Sequence, residues 1–81
     1  MEREKVKDLI LWMLYENSWE EKILGETVVS AWKGYPFEAL NELEDEEMLY
    51  QTRRSKSVRL SEAGIEKARM IQKLLEELDW E

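Results

Sequence analysis

The stretch from Phe37 to Leu78 constrains this chain most, because its hydrophobic spacing passes from helical to alternating and back to helical. Phe37, Leu40 and Leu43 recur at a spacing of three, behind a proline, Pro36, that suits the first position of a helix. Residues 49–52 and 57–60 then read as two short strands, the second alternating Val58 and Leu60 against Ser57 and Arg59. The residues between them, Arg53-Arg54-Ser55-Lys56, make a hairpin tip without the Gly or Asn of the favoured turns. Ser61 suits the N-cap of a last helix whose Ile65, Ala68, Ile71, Leu74, Leu75 and Leu78 form one apolar stripe. Gly64, in the first turn of that helix, points to a close approach between the helix and the strand before it.

The N-terminal half is less regular. Val6, Leu9, Ile10, Met13 and Leu14 fall at i, i+3, i+4, i+7 and i+8, which predicts a helix over 2–16 with these residues on its buried face. Leu11, Trp12 and Tyr15 widen that stripe and offer either more core or a second contact surface. Ser18 and Glu21 have the spacing of a capping box, so a short helix over 19–24 is expected, ending at Gly25. Residues 26–32 carry β-branched Thr27, Val28 and Val29, which suit a strand, yet Val28, Val29 and Trp32 also share a helical face; the reading leans to helix.

Composition narrows the function classes. The chain has 81 residues, 12 basic and 19 acidic, no His and no Cys, and a net charge of −7. One domain of this size buries only about 60–65% of the surface its unfolded chain exposes, and no disulfide or thiolate metal site can compensate. Imidazole and thiolate chemistry are excluded. The i, i+4 carboxylate pairs Glu38 with Glu42 and Glu42 with Glu46 could in principle act as acid and base or hold a hard cation, but such rows are usually a solvated helix face. A non-catalytic protein without cofactor or metal is expected. The longest apolar run, residues 9–15, is too short to span a bilayer and no signal segment precedes it, so a cytoplasmic location is expected.

Charge is unevenly spread. Residues 1–52 hold 13 acids and 5 bases, residues 53–59 hold 4 bases and no acid, and residues 60–81 hold 6 acids and 3 bases. One basic spot therefore sits on an acidic body.

Phe37-x-x-Leu40-x-x-Leu43, a short strand at Leu49, a basic turn and Val58-x-Leu60-Ser61-x-x-Gly64 together resemble the second half of MarR-type and PadR-type winged-helix regulators, over residues 37–68. Ala31-Trp32-Lys33-Gly34 and Lys56-Ser57-Val58 are similar to motifs of a small uncharacterised bacterial family with no assigned activity. The resemblance implies a single winged-helix domain over 1–81: α+β and mainly helical, a winged helix-turn-helix with one two-stranded β-hairpin as the wing and a long C-terminal helix packed on the first. Two departures stand out. Where these families usually place Gly at the end of the helix before the wing, this chain has Glu47, which tolerates a left-handed conformation poorly, so a different exit is expected. The helix over 36–48, which would face a DNA groove, holds Glu38, Glu42, Glu44, Asp45, Glu46 and Glu47 and no base, so the phosphate contacts that position such a helix are missing.

Three sets of residues are candidates for binding. Arg53, Arg54, Lys56 and Arg59 form the wing, which is either a contact for nucleic acid or an acidic protein or simply a solvated turn. Trp32, Lys33 and Tyr35 form an aromatic surface, although core filling accounts equally well for Trp32 and for the neighbouring Phe37; Trp19 and Trp80, flanked by acids, are harder to place inside. Trp12, Ile71, Leu74, Leu75 and Leu78 form a homodimer interface, since a monomer this small has little surface with which to cover both terminal helices. The expected function is a non-catalytic winged-helix interaction module that binds another protein or itself. The alternative is a DNA-binding transcriptional regulator that uses the basic wing and a dimer, with DNA disfavoured by the acidic helix. No membrane partner is expected.

Overall fold

The computed structural model describes residues 2–52 and 54–78. The order of elements is α1 (Arg3–Glu16), β1 (Trp19–Ile23), β2 (Glu26–Trp32), α2 (Phe37–Asp45), β3 (Leu49–Gln51), β4 (Ser57–Leu60) and α3 (Glu62–Glu77). The strands form one antiparallel sheet in the order β1-β2-β4-β3, with Trp19 opposite Ser30, Ser30 opposite Arg59, and Arg59 opposite Tyr50. The fold is thus α+β, but the single two-stranded hairpin expected from the sequence is half of a four-stranded sheet.

Two helices anticipated in the N-terminal half are strands. Ser18 is not the start of a capping box: its hydroxyl donates to the Tyr15 carbonyl at 2.6 Å and helps close α1, while Glu21 accepts from the Trp19 indole N–H at 2.7 Å. Residues 19–23 alternate between the faces of the sheet, and Leu24 and Gly25, at φ of 52° and 83°, supply the two left-handed positions of a tight hairpin turn. Once that hairpin forms, residues 26–32 are bound in register to β1 on one side and β4 on the other, so their β-branched residues prevail over the helical spacing. The element ahead of α2 is therefore a strand, and no helix precedes α2 across a tight turn.

The core lies between one face of the sheet and the helices. It comprises Ile10, Leu11 and Leu14 of α1, Ala31, Leu49, Val58 and Leu60 of the sheet, Leu40 and Leu43 of α2, and Ala68 of α3. The buried face of α1 is rotated from the expected stripe: Lys7 replaces Val6, and Val6 and Met13 are exposed. Phe37, expected inside, is 69% exposed, because it shares its helical row with Asn41 and Glu44 and not with Leu40 and Leu43.

The exit from α2 also differs from expectation. Glu47 does adopt the left-handed conformation, at φ 61°, and completes the C-cap that a glycine usually serves: its N–H donates to the Glu44 carbonyl at 2.9 Å and that of Met48 to Leu43 at 2.9 Å. The α3 N-terminus docks on this exit. The Ser61 N–H donates to the Met48 carbonyl at 3.0 Å, its hydroxyl donates to the Glu47 carbonyl at 2.6 Å, and the same oxygen accepts from the Gly64 N–H at 2.9 Å. Ser61 is the N-cap the sequence indicates.

Candidate interaction surfaces

The acidic helix is not a free groove-facing surface. Its row Glu38, Glu42 and Glu46 is turned toward α1, where Arg3 reaches Glu42 at 2.5 Å and Glu38 at 3.5 Å, and Lys7 joins Glu46 and Glu4. Lys7 is only 3% exposed, and hydrogen bonds from its amine to Glu46 and then Glu4 hold its pKa well above the usual lysine value. The neighbouring row serves β3: a Glu44 carboxylate oxygen accepts from the Gln51 N–H at 2.8 Å, while the Gln51 amide donates to Asn41 at 3.0 Å. Glu44 thus occupies a backbone donor on the outer edge of a short edge strand, which blocks that edge against other chains. Of the carboxylates considered for acid-base or cation chemistry, Glu42 and Glu46 are paired with these bases, while Glu38 is largely exposed. Among the described residues, no group of three or more metal-ligating side chains comes together.

Helices α1 and α3 form the first candidate surface. They are joined by an ion pair between Lys67 and Asp8 at 3.1 Å and by Arg69 donating to the Tyr15 hydroxyl at 3.1 Å. Beside this junction a trough of about 540 Å³ opens, lined by Leu9, Trp12, Glu16, Gln72, Leu75 and Glu76. Leu74 and Leu78 are 63% and 56% exposed, and Ile71 and Leu75 are half-buried. Trp12, Ile71, Leu74, Leu75 and Leu78, singled out from the sequence, thus lie on two helices packed side by side, and the domain leaves them partly uncovered. The Trp12 indole N–H is shielded from solvent and has no acceptor among the described residues.

The second surface is the face of the sheet that no helix covers. Alternation sends Ala31, Val58, Leu60 and Leu49 to the core and Trp19, Ser30, Trp32, Ser57, Arg59 and Tyr50 to the other side. Trp19 and Trp32 pack with ring centroids 4.8 Å apart at 43°. Trp32 is 64% and Tyr50 55% exposed. A cleft of about 480 Å³ lies beside them, lined by Glu21, Ser30, Tyr50, Thr52, Ser55, Ser57 and Arg59.

The sequence-derived sets divide over these surfaces. Arg54 and Lys56 are exposed at the β3–β4 tip and Arg59 lies on the bare face, whereas Arg53 falls outside the described residues, as does Trp80. The aromatic trio is divided: Trp32 faces outward, Lys33 ties its loop to the hairpin by donating to the Thr52 carbonyl at 3.0 Å, and Tyr35 packs against the core. Sequence reasoning missed the pairing of Trp19 with Trp32 and the place of Tyr50. The alternation of Trp19, Glu21 and Ile23 ahead of Leu24-Gly25 carried that signal, but the capping-box spacing masked it.

A family model described as a domain of unknown function, DUF6429, matches residues 2–78. No curated protein and no solved structure matches the chain. No helix among the described residues is long and apolar enough to cross a membrane.

Proposed function

Since the chain belongs to the DUF6429 family, whose function is unknown, we propose a role read from its surfaces: a non-catalytic interaction module that pairs with a second copy of itself through α1 and α3. One observation carries this reading. Lys5, Leu9, Trp12 and Glu16 fall at i, i+4, i+7 and i+11 and so form one narrow stripe along α1. Reversed end for end, the stripe is its own complement: in an antiparallel pair Lys5 meets Glu16 of the mate, and Leu9 meets Trp12. A two-fold interface needs this self-complementarity, because every residue must suit a partner drawn from the same surface.

The surrounding surface supports the pairing. Met13 and Val6 continue the apolar arc of α1, Leu75 of α3 lines the trough beside Leu9 and Trp12, and Leu74 and Leu78 are exposed on the same helix α3. Covering them adds apolar burial that an 81-residue chain lacks on its own, at about 25 cal/mol per Å². Winged-helix architecture is not required. Helix α2, the β3–β4 hairpin and α3 keep that order, but β1 and β2 stand where a helix-turn-helix needs a helix.

Sedimentation velocity tests the proposal with Met13→Glu and Leu74→Glu, both at exposed positions with little internal packing to lose. Wild type should sediment as a dimer at about 50 μM, as expected of a specific interface of roughly standard size. Each variant should sediment as a monomer with an unchanged circular dichroism spectrum. A wild type that is monomeric throughout, or variants that remain dimeric, would overturn the reading.

A further inference from the structure

We infer that the bare face of the sheet binds single-stranded nucleic acid. The register places Trp19, Ser30, Arg59 and Tyr50 in one row across all four strands, so the exposed Arg59 cation and the buried Ser30 lie between two aromatic side chains, with Trp32 next to the first. Single strands are held by this combination in general: bases stack on exposed rings while Arg and Lys follow the phosphates. Arg59 supplies a charge within the row and Arg54 and Lys56 supply charges at the adjoining hairpin tip. Among the described residues none of these three has an ion-pair partner.

The cleft argues for nucleic acid over an acidic peptide. Its lining, Glu21, Ser30, Tyr50, Thr52, Ser55, Ser57 and Arg59, contains no aliphatic side chain. Its apolar wall is the Tyr50 ring, a flat surface on which a base stacks, and Thr52, Ser55 and Ser57 add hydroxyl donors and acceptors beside it. Ser55 and Ser57 already share a hydrogen bond at 2.8 Å, which fixes this part of the floor. The acidic composition does not forbid the contact. Glu21, the one acid in the cleft, is engaged by the Trp19 indole, Glu26 shares this face at the far end of β2, and carboxylates more than about 8 Å away are largely screened at physiological salt.

Titration followed by tryptophan fluorescence and probe anisotropy tests the inference, with oligo(dT) and oligo(U), a DNA duplex of equal length and a polyglutamate peptide as probes. The single strands should bind with quenching and more tightly than the duplex, and three phosphate contacts predict a log-log salt slope near about −2. Tyr50→Ala and Arg59→Ala should each weaken binding about fivefold or more, and Tyr50→Phe, which keeps the ring, should not. These side chains are exposed, so an unchanged melting temperature will confirm that the variants fold. Absence of single-strand binding, equal or tighter binding of the duplex, polyglutamate binding as well as the single strands, or indifference to Tyr50→Ala would each overturn it.

Discussion

The carbonyl oxygen of Met48 stands 2.0 Å from the place a Cβ on Gly64 would occupy. The glycine is therefore a packing requirement of the α2 exit meeting the α3 start. The carbonyl cannot easily retreat, because it accepts the Ser61 N–H at 3.0 Å, and Ser61 in turn holds Glu47 and caps α3.

Gly64→Ala should accordingly destabilise the domain. Helix propensity favours alanine by up to about 1 kcal/mol, while forcing a methyl group into a filled site costs about 1–3 kcal/mol, and here the obstacle is backbone. A net loss of about 1–2 kcal/mol in urea denaturation is expected. An unchanged or raised midpoint would show that the two segments do not meet as described.

Leu24→Asn should stabilise. Leu24 is fully exposed at φ 52°, followed by Gly25 at φ 83°, and Asn-Gly is the preferred pair for such a hairpin turn. The gain should be about 0.5–1 kcal/mol, read as a rise in thermal midpoint. A loss would indicate that β1 and β2 are not joined by this turn.

Lys7→Met should cost about 1.5–3 kcal/mol, since it removes charged hydrogen bonds to Glu46 and Glu4 while keeping the apolar stem. The folded-state pKa of Lys7 is raised above the ordinary 10.5, so its contribution is fully present below that value and is lost only as pH rises through the raised one. The stability difference between wild type and variant should therefore be the same at about pH 6 and about pH 9. Denaturation curves at the two pH values that differ by more than their error would contradict this placement of Lys7.

The second half of the chain was legible because its signals are local. Ser61 is the cap, Ser57–Leu60 alternates as a strand does, and Gly64 marks a close approach, although the backbone it meets is Met48 at the α2 exit and not the strand before α3. The first half was not, because β1 and β2 become strands through each other and through β4, a pairing that no local spacing of Glu26–Trp32 records. Lys7 misled for a related reason: only the distant Glu46 makes a lysine acceptable on the buried face of α1. Likewise Glu38, Glu42 and Glu46 read as a solvated row until Arg3 and Lys7 are placed opposite them. Of the candidate surfaces, the α1–α3 residues were found by helical periodicity. The row from Trp19 to Tyr50 depends on strand order, which the sequence does not spell out.

Sedimentation equilibrium on a charge-swap cycle tests self-pairing most directly. Lys5→Glu alone, or Glu16→Lys alone, places like charges opposite each other at both ends of an antiparallel α1 pair and should weaken the dimer about tenfold. The double variant restores opposite charges in reversed order and should return close to wild-type affinity, an outcome that only antiparallel pairing of this stripe produces. A wild type that is monomeric at about 100 μM, or a double variant no tighter than the single ones, would contradict the account.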